Sequence, residues 1–135
     1  MTVTDNDDTG DRQNVLVVDD DRKLARLLGL WLERAGFSCT LAECGDQALW
    51  EINRSEPDVL VLDVMIPHPC GIEICRHLRA SGFDRPIVMI SARSNPEDEE
   101  ATSRAGADRF LAKPFPLEHL EGTIRELLGA PAPAT

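Results

Sequence analysis

The chain has 135 residues, enough for one domain with a single hydrophobic core. Its 24 acidic residues against 14 Lys and Arg give a formal charge of −10, which excludes a surface built to bind nucleic acid. No apolar run approaches the roughly 20 residues that a membrane helix needs, so a cytoplasmic protein with no membrane or nucleic-acid partner is expected.

The first thirteen residues carry Asp5, Asp7, Asp8 and Asp11 with only Arg12 to offset them. They read as a disordered acidic tail, and without an apolar block they cannot be a signal peptide. Val15 to Val18 form a short apolar strand that ends in Asp19, Asp20 and Asp21. Leu24, Leu27, Leu28 and Trp31 then recur at helical spacing, with Leu32 widening the stripe and Gly36 stopping the helix. Asp21 is expected to help start that helix.

Phe37 to Leu41 read as a second strand, more polar and therefore nearer a sheet edge. Ala48, Leu49 and Ile52 mark one face of a second helix that ends before Pro57, and Trp50 falls off that face as a half-covered surface residue. Val59 to Leu62 contain no polar alternation, as expected of a strand buried on both faces, and they lead directly to Asp63. A loop with Pro67 and Pro69 follows, then a third helix carrying Ile72, Ile74, Cys75 and Leu78 up to Gly82.

Pro86 introduces the strand Ile87 to Ile90, which ends at Ser91. A fourth helix starts at Pro96 with Glu97 to Glu100 in its first turn, where the helix dipole favours acids, and Gly106 closes it. Phe110 to Ala112 form the last strand and end at Lys113-Pro114. Leu117, Leu120, Ile124, Leu127 and Leu128 line the fifth helix, and residues 129–135 read as a flexible Ala/Pro tail. The four cysteines (39, 44, 70 and 75) match no common zinc spacing and read as reduced thiols.

Five alternations of strand and helix predict an α/β fold with a parallel sheet covered on both faces. Asp19 and Asp20, Asp63, Ser91 and Lys113 all follow strands, so they converge at one carboxyl edge, where such sheets bind ligands. Carboxylates about 4 Å apart repel by roughly 4 kcal/mol at an effective dielectric of 20. A hard divalent cation compensates this, and Mg²⁺ takes carboxylates together with phosphate oxygens. With a lysine and a hydroxyl beside it, Asp63 is placed as a nucleophile for phosphoryl transfer.

These residues resemble the receiver domain of two-component response regulators, over about residues 14–128. The resemblance rests on Val-Val-Asp-Asp at 17–20, Leu-Asp-Val-Met-Ile-Pro at 62–67, Ile-Ser-Ala at 90–92, Gly-Ala-Asp at 106–108 and Phe-Leu-Ala-Lys-Pro-Phe at 110–115. It implies a flavodoxin-like (βα)5 doubly wound fold with strand order 2-1-3-4-5. It further implies that Asp63 accepts phosphate from a histidine kinase or histidine phosphotransfer protein. Asp19, Asp20, Asp63 and the Met65 backbone carbonyl would hold Mg²⁺ (or Mn²⁺). Lys113, in front of a cis peptide to Pro114, would contact the phosphoryl group. Ser91 and Phe110 would be the switch residues, and Met65 and Arg93 would set phosphate lifetime. A downstream protein would bind the face formed by the fourth helix, fifth strand and fifth helix. Such a protein is not an enzyme acting on a metabolite; it is a self-phosphorylating acceptor with weak autophosphatase activity.

Some residues depart from the family pattern. Cys70-Gly71 stands where Asp-Gly is usual; it reads as a plain substitution, with an oxidation-sensing thiol as the alternative. His68 reads as a solvated loop residue, with an effect on phosphate lifetime as the alternative. Arg109 replaces an acid common in receivers that dimerise through the signalling face, so a monomer is expected. Two alternatives to the phosphoacceptor reading are a phosphorylation-independent pseudo-receiver that only binds protein, and a receiver fragment of a longer regulator with an output domain.

Overall fold

The computed structural model describes residues 12–67 and 69–129, so most of the acidic segment, His68 and most of the Ala/Pro tail lie outside the described residues. Five strands, β1 (Asn14–Val18), β2 (Ser38–Ala42), β3 (Val59–Asp63), β4 (Ile87–Ser91) and β5 (Arg109–Ala112), alternate with five helices. The helices are α1 (Arg22–Arg34), α2 (Gly45–Arg54), α3 (Gly71–Ala80), α4 (Pro96–Ala105) and α5 (Leu117–Leu128). All strand pairs are parallel, and the sheet order is β2-β1-β3-β4-β5, as expected.

The period-two geometry of a strand explains the unbroken apolar runs. Leu16, Leu60, Leu62, Ile87 and Met89 point to one side, where Ala48 and Ile52 of α2, Ile74 and Leu78 of α3 and Ala105 of α4 cover them. Val15, Val17, Val59, Val61, Val88 and Ile90 point to the other, under Leu28 and Leu32 of α1 and Leu120 and Ile124 of α5. Every residue of β3 and β4 is buried, so each of these strands supplies both cores at once.

The outer strands differ from the expectation in detail. β2 begins one residue later than Phe37, which is buried in the core beneath α1 while Ser38 opens the ladder. β5 begins one residue earlier, at Arg109. On α1, Leu28 and Leu32 are fully buried, but Leu27 is half exposed and Leu30 more so. The inward face of α1 is formed by Ala25, Leu28, Gly29 and Leu32, and Leu27 lies outside that arc.

Helix ends follow local chemistry. Asp21 caps α1 by accepting from the Leu24 N–H at 3.1 Å, and Asn95 caps α4 by accepting from Asp98 N–H at 2.8 Å. Gly106 closes α4 at φ +111, a conformation other residues rarely adopt. Among the described residues, no helix is long and apolar enough to cross a membrane.

Candidate functional site at the carboxyl edge of the sheet

Each site residue is delivered by a strand end. Asp19 follows β1, and its backbone N–H donates to Ala42 O at the end of β2. Asp63 is the last residue of β3 and is paired in register with Ile90 of β4. Lys113 follows β5 and donates its N–H to Ser91 O of β4. Parallel register therefore brings residues 19, 63, 91 and 113 to one edge. The peptide between Lys113 and Pro114 is cis, as expected.

The side chains then meet. Lys113 Nζ donates to Asp19 Oδ2 at 2.7 Å and to Asp63 Oδ2 at 3.0 Å. Asp19 is fully buried, Asp63 nearly so, and Asp20 is exposed. The remaining oxygens of the two buried acids are also occupied. Asp19 Oδ1 accepts from Asp21 N–H and Asp63 Oδ1 accepts from Met65 N–H, both at 2.9 Å. A strand-end aspartate that captures the N–H two residues on is an Asx turn, and it fixes the carboxylate against its own loop.

Burial raises the Asp19 carboxyl above its ordinary range, and the nearby charge of Asp63 adds to this, while hydrogen bonds from Lys113 and the Asp21 N–H act the other way. Burial opposes the charge on Lys113, yet its bonds to Asp19 and Asp63 hold its affinity for the proton above normal. Asp19, Asp20 and Asp63 each offer a carboxylate oxygen, all within 4.8 Å of one another. Three carboxylates against one lysine leave net negative charge, and an oxygen-only donor set could hold a hard divalent cation.

The other expected residues surround this group. Ser91 is fully buried, and its Oγ accepts from Arg93 N–H at 3.0 Å. The Arg93 guanidinium turns toward α4, where Nε donates to Asp98 Oδ2 at 2.7 Å. Met65 exposes half of its side chain. Phe110, paired in register with Met89, is partly buried against the core under α2, α3 and α4. His68 lies outside the described residues.

The loop after Asp63 is held by Gly71, at the first position of α3. A Cβ on Gly71 would lie 2.3 Å from Asp63 O and 2.8 Å from Val64 Cα, so no larger residue fits against this backbone. The sequence alone did not show that glycine pressing on the carbonyl of Asp63.

The family model described as the response regulator receiver domain matches residues 15–125, which reach every strand and include the whole site. The chain is a receiver domain. Response regulator MprA of Mycobacterium leprae (strain TN) is 46% identical over 114 residues, covering 84% of this chain and 50% of that protein. The chain spans about half the length of the curated relatives it matches. Among solved structures, the receiver domain of Francisella response regulator 1452 superposes with a TM-score of 0.84 at 33% identity, over 87% of this chain and 98% of that one. The Vibrio cholerae chemotaxis protein CheY4 gives 0.81 at 29% identity, over 86% and 98%.

Proposed function

We propose that this receiver is a phosphoacceptor whose Asp63 is phosphorylated by a histidine kinase or histidine phosphotransfer protein. The observation that carries the reading is Lys113 Nζ bridging Asp19 and Asp63 at 2.7 and 3.0 Å. A lysine held between the acceptor and its acidic neighbour supplies positive charge where phosphoryl oxygens would gather. Mg²⁺ fits the oxygen donors of Asp19, Asp20 and Asp63, with the Met65 backbone carbonyl added, and when bound would neutralise charge on the phosphoryl group.

The steps assigned to the chain are few. One Asp63 oxygen attacks phosphorus as the bond to the donor nitrogen breaks, giving an acyl phosphate. The Met65 N–H keeps the other oxygen oriented. Lys113 exchanges its Asp63 contact for a phosphoryl oxygen and keeps Asp19. Ser91 supplies a hydroxyl to the phosphate, Phe110 follows it inward, and the face made by α4, β5 and α5 changes its affinity for a downstream protein. Met65 and Arg93, two residues beyond Asp63 and Ser91, set how readily water removes the phosphate, the only hydrolysis assigned to the chain. The receiver of a longer regulator would pass the same change to an output domain, in keeping with the length of the curated relatives.

Intact mass after incubation with a small phosphodonor tests the reading, with Mg²⁺ or chelator, on wild type and Asp63→Asn. One phosphoryl adduct that needs Mg²⁺ and vanishes in the variant supports it. A folded wild type that takes no adduct favours a phosphorylation-independent binding module.

A further inference from the structure

The four free cysteines divide into two kinds. Cys75 is buried and Cys39, though partly exposed, packs against the core: burial and the nearby Glu33 push the Cys39 thiol up to about 12, and burial also raises Cys75, whose Sγ lies against Ala105 O. Both are held in the unreactive protonated form. Cys44 and Cys70 are partly exposed and occupy equivalent places: each is the N-cap of its helix, α2 and α3, and each is followed by a glycine.

N-caps favour Ser, Thr, Asp and Asn because a side-chain oxygen accepts a free N–H of the first turn. Neither helix has one. Cys44 makes no side-chain cap bond, and in the reciprocal box of Cys70 and Glu73 a sulphur takes the accepting place, a weak acceptor. Two neighbouring helices thus forgo an oxygen cap for the same residue type.

These two N-caps are joined through space. A Cβ placed on Gly45 would lie 2.7 Å from Pro69 Cδ and 2.8 Å from Pro69 O, so the start of α2 presses on the loop that leads into α3. Cys44 immediately precedes Gly45 and Cys70 immediately follows Pro69. Each cysteine is one residue removed from that contact, and closing a disulfide would need their Cα atoms to come within about 7 Å.

We propose that Cys44 and Cys70 are an oxidisable pair that closes to an intramolecular disulfide when the protein meets a hydroperoxide. The thiolate of one attacks the peroxide; an S–O bond forms, the O–O bond breaks, and water leaves after protonation. The second sulphur then attacks this sulfenic acid, forming S–S and breaking S–O, and a second water carries away the remaining proton. Two thiols and one hydrogen peroxide give one disulfide and two waters, with the sulphurs oxidised and the peroxide reduced. The link would tie α2 to the loop that begins at Asp63. It does not rest on Asp63 being phosphorylated.

The test treats the whole chain with hydrogen peroxide, blocks remaining thiols with an alkylating agent, and reads intact mass and linked peptides. The expected wild-type result is loss of two hydrogens, two fewer alkyl groups, and one linked peptide pair containing residues 44 and 70, reversed by dithiothreitol. Cys44→Ser and Cys70→Ser should each abolish it, and both should fold because serine is a favoured N-cap. Four alkylatable thiols after peroxide, a link involving Cys39 or Cys75, a link between two chains, or oxygen added at one cysteine equally in wild type and Cys44→Ser would each overturn the proposal.

Discussion

Lys113 lies closer to Asp19 than to Asp63, at 2.7 Å against 3.0 Å. Asp19 is also the more deeply buried of the two acids. The lysine is therefore anchored on the acid that is not the expected phosphoacceptor, and its contact with Asp63 is the longer one.

Replacing Lys113 with alanine leaves two buried carboxylates facing each other without their counter-charge. Breaking a buried ion pair by removing one partner costs on the order of 3–5 kcal/mol. Lys113→Ala should lose about that much stability at neutral pH in chelator, read from urea unfolding, and recover part of it on adding Mg²⁺. Equal stability with and without chelator would separate Lys113 from the acidic cluster.

Gly71→Ala places a methyl group 2.3 Å from Asp63 O, a backbone atom that cannot move without disturbing β3. Strain of this kind costs roughly 1–3 kcal/mol. The denaturation midpoint should fall accordingly, and the yield of phosphorylated protein at fixed donor concentration should fall with it. Gly122→Ala, where nothing lies within 4 Å, is the matched control and should stabilise α5 slightly.

Cys44→Ser supplies the oxygen that the N-cap of α2 lacks. A gain of about 0.5–2 kcal/mol is expected under reducing conditions, seen as a higher melting temperature. No gain would mean that the serine hydroxyl fails to reach the first-turn N–H groups.

Burial, with the nearby Glu33, pushes the Cys39 thiol from its ordinary value of 9.0 up to about 12. The folded state thus binds the proton more tightly, and the stability this provides is complete below pH 9 and lost as pH rises toward 12. Cys39→Ala should flatten that alkaline loss in a pH series of unfolding curves. At pH 9, Cys39 should resist alkylation until the protein is unfolded.

Much of this molecule is legible in its sequence because β1, β3 and β4 are buried on both faces and tolerate nothing polar until they end. Asp19, Asp63 and Ser91 stand out because each interrupts or follows such a run. The edges were harder to read. β2 borders solvent on one side, so polarity alone does not separate Phe37, which belongs to the core, from Ser38, which opens the ladder. Leu27 has the right spacing for the α1 stripe, yet it lies beyond the arc that the sheet covers. Contacts between segments distant in sequence left no signal at all. Neither the approach of Gly45 to Pro69 nor the bond from Arg79 to Asp108 follows from periodicity, since each depends on where two segments meet in space.

The opposite edge of the sheet is held together by one side chain. Arg79, in the last turn of α3, donates to the carbonyls of Phe83, Arg85 and Gly106 and to the Asp108 carboxylate, which also accepts from Ile87 N–H at the start of β4. One side chain thus rivets the end of α3, the end of α4 and the starts of β4 and β5 to a common point. Loss of this one guanidinium would therefore loosen two helices and two strands together, all at the end of the sheet away from Asp63.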